Sequence, residues 1–173
     1  TGNGTAEVVN NLIQGNVQAC LSTICSAGFG AGIYVSGGAH RLVGNVIVGN
    51  RTGPMLDRYG GGVYVTGTDG AVIANNTLLD NTAVTGGSSG GAGGAGVYVA
   101  EANTNLLLAN NIVQENNGQG VLCAAGAGVT IRTNALYGNP DGDIVDCPAG
   151  TGDILEDAEF ADRSVGDYRL TET

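Results

Sequence analysis

Short runs of alternating aliphatic and polar residues repeat along most of this chain, and each run is bounded by Gly or Asn. The most regular unit is Asn-x-φ-φ-x-Asn, where φ is usually aliphatic. It occurs five times, at Asn11/Asn16, Asn45/Asn50, Asn76/Asn81, Asn111/Asn116 and Asn134/Asn139. Runs this brief that are rich in Val and Ile indicate β-strands and are too short for helices. A self-similar unit at this period predicts a stacked repeat fold.

A second phrase, Gly-φ-Tyr-φ, precedes the Asn units at 32–35, 62–65 and 96–99, and a variant of it, Gly-Val-Leu-Cys, stands at 120–123. An aliphatic residue three positions before each first Asn marks another strand between the two phrases. Each unit therefore holds three short strands separated by corners, and the interval from Gly96 to Gly120 is 24 residues. This pattern predicts an all-β parallel β-helix of about five to six coils over residues 1–147.

We expect the ten Asn side chains of these units to form ladders at the corners of the coils. An amide both donates and accepts hydrogen bonds, and Asn tolerates a left-handed backbone. Leaving a buried amide unpaired costs about 1–3 kcal/mol, so stacking equivalent residues removes a penalty. These residues are predicted to build the fold and not to catalyse a reaction.

Three insertions, at 17–29, 51–59 and 82–93, enter at the same corner of consecutive coils. Stacked loops on one face are where solenoids usually carry specificity. The alternative is a protective flap, in which loop residues such as Met55, Leu56 and Val84 cover the outward-facing Val48 and Leu79.

Charge is distributed unevenly along the chain. The 173 residues include no Lys and carry a net charge of −10, and ten of the sixteen acidic residues follow residue 140. A basic patch is therefore missing, which excludes nucleic acid as an expected partner. The acidic tail, 148–173, is expected to pack along the coils or to cap them. Asp141, Asp143 and Asp146 form a candidate calcium site, although the full twelve-residue hand loop is absent.

Four Cys residues suggest two disulfides and an oxidising compartment. Cys123 and Cys147 are 24 residues apart, close to one coil, whereas Cys20 and Cys25 share one loop. The Cys-x4-Cys spacing also permits a metal clip. No signal peptide or membrane span is visible, so we expect a mature or trimmed form.

The two repeated phrases and the tail carry a family resemblance. The stretch 156–162, Glu-Asp-Ala-Glu-Phe-Ala-Asp, followed by Gly-Asp-Tyr-Arg-Leu at 166–170, looks like the ending D-P-x-F-x-D … G-D-Y-R-L. Ala158 departs from that pattern. Over residues 6–170 the chain resembles right-handed parallel β-helix repeat proteins, a pectin-lyase-like superfamily common in secreted and surface bacterial proteins. The resemblance implies a right-handed coil and an extracellular location. It implies little about activity, because this scaffold hosts lyases, hydrolases, epimerases, adhesins and inert spacers.

The residues that degrade polysaccharides in such relatives are not grouped here. Those relatives use a Lys or Arg base, or grouped Asp residues with a His and an Arg-x-Lys. Here Lys is absent, His40 is the single histidine, and Asp80 and Glu115 are the only acids at adjacent repeat positions of the coils. We therefore predict no catalytic residues, and a lyase or glycoside hydrolase is the enzymatic alternative.

Tyr34, Tyr64 and Tyr98 should stack on the outer face of one sheet. The row is either a stabilising aromatic ladder or a carbohydrate-binding surface. Our main expectation is a secreted, non-catalytic structural module that needs no cofactor. Because no capping helix precedes the first coil, open strand edges suggest end-to-end stacking of copies into a filament.

Overall fold

The computed structural model describes residues 4–18, 27–53, 57–83 and 92–171, and these form a parallel β-helix. Three five-stranded sheets run along it, and each strand pairs in parallel with its equivalent in the adjacent coil. Sheet A holds β5 (Ile33–Ser36), β10 (Val63–Thr66), β14 (Val97–Val99), β17 (Val121–Cys123) and β20 (Ile144–Val145). Sheet B holds β1 (Glu7–Val9), β6 (Arg41–Val43), β11 (Val72–Ala74), β15 (Leu106–Ala109) and β18 (Val129–Arg132). Sheet C holds β2 (Leu12–Gln14), β7 (Val46–Val48), β12 (Thr77–Leu79), β16 (Ile112–Gln114) and β19 (Ala135–Tyr137). The predicted parallel β-helix is confirmed.

The remaining elements lie in the insertions and in the tail. The insertions begin with β3 (Val17–Gln18) and β8 (Arg51–Thr52) and end with β4 (Ala27–Phe29), β9 (Asp57–Tyr59) and β13 (Ala92–Gly93). The tail forms an antiparallel hairpin of β21 (Phe160–Asp162) and β22 (Asp167–Leu170) around a 3-10 helix (Arg163–Val165). Met55, Leu56 and Val84, on which the flap hypothesis depends, lie outside the described residues. Among those described, no helix has the length and apolar character to cross a membrane.

The core is a stack of aliphatic layers. A strand of sheet A contributes two inward residues, as Val63 and Val65 do in β10, and a strand of sheet C contributes one. Equivalent inward positions lie directly above one another because the strands pair in register. Three of the columns are Val35, Val65, Val99 and Cys123; Leu42, Ile73, Leu108 and Ile131; and Ile47, Leu78, Val113 and Leu136. Each such buried aliphatic side chain contributes about 1.5–3 kcal/mol.

The Gly that opens each Gly-φ-Tyr-φ phrase stands where adjacent coils approach closely. A Cβ on Gly32 would lie 2.5 Å from the carbonyl oxygen of Gly62 and 3.1 Å from Asn50 Nδ2. A Cβ on Gly62 would lie 2.6 Å from the carbonyl oxygen of Gly96. This part of the repeat is therefore a packing requirement, since only a residue without a side chain fits there.

The corners are turned by the residue before each ladder Asn, and not by that Asn. These residues are Asn10, Gly44, Asn75, Asn110 and Thr133 at one corner and Gly15, Gly49, Asp80, Glu115 and Gly138 at the other, with φ between 51° and 68°. The expectation that the ladder Asn itself uses left-handed tolerance was wrong. Because the preceding residue takes the strained conformation, the Asn side chain points along the ladder.

Candidate functional site

Two ladders of Asn side chains run along the solenoid beside sheet C. The first holds Asn11, Asn45, Asn76, Asn111 and Asn134, and the second holds Asn16, Asn50, Asn81, Asn116 and Asn139. At each rung the backbone N–H and Nδ2 of one Asn donate to Oδ1 of its equivalent in the next coil, at 2.8–3.2 Å. From the second rung onward, Nδ2 also donates to a backbone carbonyl of the preceding coil, as Asn45 does to Val8 at 2.8 Å. These amides have no free hydrogen-bonding capacity in the interior of the ladders.

The ladders have a direction, because every rung donates toward the C-terminal end. The last acceptors at that end are carboxylates. Asn134 N donates to Asp153 Oδ1 at 2.7 Å, and Asn139 Nδ2 donates to Asp143 Oδ1 at 2.6 Å. At the other end, the Oδ1 atoms of Asn11 and Asn16 accept no hydrogen bond from the described residues. The sequence pattern did not reveal the two terminal Asp residues as rungs, because neither stands in an Asn-x-φ-φ-x-Asn unit.

The structure does not assemble Asp141, Asp143 and Asp146 into a calcium site. Asp143 is held by Asn139, whereas the side chains of Asp141 and Asp146 are exposed. Within the described part of the chain, no three carboxylate, imidazole or thiolate groups converge on a point where a metal ion could bind. The described residues therefore give the calcium site no support, and it stays a prediction: proximity in sequence did not orient the three carboxylates toward each other.

Asp80 and Glu115, the acids at adjacent repeat positions, both bind Arg163 of the C-terminal tail. Arg163 Nη2 lies 2.9 Å from Asp80 Oδ2, and Nη1 lies 2.5 Å from Glu115 Oε2. Gln114 binds the same tail, donating to Asp157 Oδ1 at 2.6 Å and accepting from Ala158 N at 2.9 Å. These contacts place the tail along the outer side of sheet C. The two acids, which a hydrolase would need free, are joined by a cation.

His40 connects the first coil to the second. Its Nδ1 accepts from the backbone N–H of Ala6 at 3.0 Å, which assigns the ring proton to Nε2, 3.4 Å from the carbonyl oxygen of Ser36. The neighbouring Arg41 pairs with Glu7 at 3.4 Å. Both nitrogens of the imidazole therefore contact the backbone, and the arrangement resembles a structural histidine more than a general base.

The aromatic cluster consists of Phe29, Tyr34, Tyr59, Tyr64 and Tyr98. Tyr34 stacks on Tyr64 with ring centroids 5.3 Å apart, and Tyr64 on Tyr98 at 5.4 Å. Phe29 and Tyr59, on strands of the insertions, form a second column beside the first, with Tyr59 4.3 Å from Tyr98. Sequence reasoning missed this second column, although an aromatic residue near the end of each of two insertions was the available signal.

The electrostatics of the aromatic cluster follow from its packing. Burial, together with Tyr59, Tyr64 and Glu101, which repel a tyrosinate, raises the pKa of Tyr98 to about 12. Burial, with Tyr34, Tyr59 and Glu101, also raises the pKa of Tyr64. Tyr34, at the end of the row, is 53% exposed. The hydroxyls of Tyr64 and Tyr98 are therefore neutral at physiological pH, and the ring of Tyr34 is about half open to solvent.

The structure describes two of the four cysteines. Cys123 and Cys147 form a disulfide across one coil, with their Cα atoms 4.9 Å apart. Cys20 and Cys25 lie outside the described residues. The disulfide closes the interior at the C-terminal end, because Cys123 occupies an inward core position.

A family model described as the right handed beta helix region matches residues 1–152. Searches of the curated proteins and of the solved structures gave no significant match. The family match covers all three sheets, and it carries no statement about a reaction or a ligand.

Proposed function

Because the chain belongs to the right-handed β-helix family, we propose that it is a non-catalytic structural module of an extracellular or surface protein. The observation that carries the proposal is the double ion pair of Arg163 with Asp80 and Glu115. Arg163 pairs with both acids that stand at adjacent repeat positions, and glycoside hydrolysis needs a pair of carboxylates. The disulfide between Cys123 and Cys147 supports an oxidising compartment.

The test is turnover of acidic and neutral polysaccharides by the purified chain and by Asp80→Asn. We expect no product from either protein. Product formation by the wild-type chain that is lost in Asp80→Asn, while Asp57→Asn retains it, would establish the lyase or hydrolase alternative instead.

Carbohydrate binding is a second candidate function, and the exposure of Tyr34 favours it. A sugar ring can stack on an aromatic face, and Tyr34 presents the half-exposed end of a five-residue cluster. This proposal predicts that Tyr34→Ala weakens glycan binding, whereas Tyr137→Ala, an exposed tyrosine outside the cluster, leaves it unchanged. Equal binding by both variants on a glycan array would refute it.

A further inference from the structure

We infer that Asp143 and Asp153 are stop residues that prevent a second copy of the chain from stacking on the C-terminal end of the solenoid. Asp153 is the sixth rung of the first ladder. The backbone N–H of Ile154 donates to the carbonyl oxygen of Asn134 at 2.8 Å, which repeats the bond from Ala135 to Asn111 one coil earlier. Asp143 supplies the corresponding side-chain acceptor to Asn139 in the second ladder.

The carboxylate of Asp153 satisfies its position less well than an amide would. Its Oδ1 accepts from Asn134, but its Oδ2 is buried and has no hydrogen-bond partner among the described residues. In the preceding rungs the equivalent atom is Nδ2, which donates to a carbonyl of the coil before, as Asn134 does to Leu108 at 3.2 Å. An unpaired buried oxygen is unfavourable. The chain therefore holds a carboxylate where its own repeat favours Asn, and such a sacrifice of stability is typical of residues that prevent association.

In other respects the two ends are complementary. Among the described residues, β1 and β2 are the edge strands on the N-terminal side, and Ile154, which is 56% exposed, lies on the C-terminal side. Leu12, 60% exposed, lies in the same column as Ile154. That column runs through Val46, Thr77, Ile112 and Ala135. Head-to-tail stacking of a second copy would place Leu12 on Ile154 and would continue sheets B and C across the junction.

The side-chain hydrogen bonds at such a junction would be lost. Asn11 Oδ1 of the incoming copy would face the carboxylate of Asp153, and Asn16 Oδ1 would face that of Asp143. Carboxylates only accept hydrogen bonds, so oxygen would oppose oxygen in both ladders. An amide at either position would donate to the incoming Oδ1, as every interior rung does. This polarity opposes the filament that the sequence suggested, and it holds whether or not the module binds carbohydrate.

The experiment compares the isosteric double variant Asp143→Asn/Asp153→Asn with the wild-type chain by sedimentation velocity over a range of concentrations, with electron microscopy. We expect the wild-type chain to remain monomeric and the double variant to associate at least about tenfold more tightly, the effect of one to two recovered hydrogen bonds. The matched control is Asp141→Asn/Asp146→Asn, which removes two charges from the same end outside the ladders and should behave as wild type.

Three outcomes would overturn the inference: association of the wild-type chain into head-to-tail rods, no association of the double variant, or equal association of the charge-matched control. Thermal unfolding checks that the variants fold, and if the double variant does not, Asp153→Asn alone replaces it.

Discussion

The two ends of the solenoid are built from the same repeat but differ in how they finish it. At the C-terminal end, a disulfide closes the interior and two carboxylates accept the last ladder hydrogen bonds. At the N-terminal end, β1, β2 and β5 are the edge strands of their sheets. An apolar groove of about 290 Å³, lined in part by Val8, Ile33 and Leu42, opens between β1, β5 and β6.

This difference shows that a repeat specifies its interior but not its ends. In every interior coil, the ladder Asn accepts hydrogen bonds from one neighbouring coil and donates hydrogen bonds to the other. A single repeated unit therefore satisfies the whole interior. The terminal coils must satisfy one side by other means. At the C-terminal end, Asp143 and Asp153, which lie outside the repeat, accept the last ladder hydrogen bonds. At the N-terminal end, no described residue donates a hydrogen bond to the first ladder Asn side chains.

The largest expected difference between the ends is in the ladder itself. Asn139→Ala should lower the free energy of unfolding by about 3–4 kcal/mol, because it leaves the donors of Asn116 and the carboxylate of Asp143 unpaired in a buried site. Asn16→Ala removes an exposed rung and should cost less than about 1 kcal/mol. Equal losses in urea denaturation would contradict the distinction between a closed and an open end.

The disulfide gives the next largest effect. Cys123→Val/Cys147→Ala should lower the free energy of unfolding by about 3 kcal/mol, since the crosslink closes a loop of 24 residues. Val at position 123 continues the column of Val35, Val65 and Val99 and limits the cavity. Denaturation of the variant, with the reduced wild-type chain as control, measures this. A decrease in the free energy of unfolding below about 1 kcal/mol would mean that the Asn ladders, without the disulfide, hold the C-terminal coil in place.

A smaller effect tests whether the tail protects sheet C. Arg163→Gln removes both ion pairs of a partly exposed guanidinium and should cost about 1 kcal/mol, more at low salt than at high salt. The matched control is Arg169→Gln, because Arg169 is 84% exposed and pairs only within the hairpin. Hydrogen exchange should rise at residues 157–171 in the Arg163 variant only. Similar exchange in both variants would show that other contacts hold the tail.

The smallest expected effect is an alkaline loss of stability from the aromatic cluster. Because the pKa of Tyr98 rises from 10.0 to about 12 on folding, its contribution is fully present below pH 10 and is lost as pH rises toward 12. After allowance for its partial exposure, this amounts to about 1 kcal/mol. Tyr98→Phe should flatten the dependence of unfolding free energy on pH in that range. An unchanged slope would show that Tyr98 titrates alike in folded and unfolded chains.

The regular part of this structure was predictable from residue spacing. The Val, Ile and Leu positions predicted the three sheets because strands of period two, cut at fixed intervals by Asn and Gly, have few other ways to bury one face. The columns of Leu42, Ile73 and Leu108 follow directly from that spacing. Their alignment needs no information beyond the register of the repeat.

Residues outside the repeat were not predictable in the same way. Asp143 stands four residues after Asn139, and Asp153 nineteen after Asn134, so neither distance matches a coil. Clustered in sequence, Asp141, Asp143 and Asp146 suggested a cation site. In the folded chain, the backbone turns after Asn139 and places the carboxylate of Asp143 at the end of the second ladder.

The sequence by itself determined the fold, the stacked core and the Asn ladders, because each depends on local periodicity. Only the tertiary structure decided which corner residues take the left-handed conformation and that two carboxylates end the ladders. It also decided that Arg163 reaches back to Asp80 and Glu115. In the same way, only the folded chain places Phe29 and Tyr59 beside the row of stacked tyrosines. These features join residues from different coils or from the tail. Their pairing depends on the path of the chain in space, which no short-range pattern records.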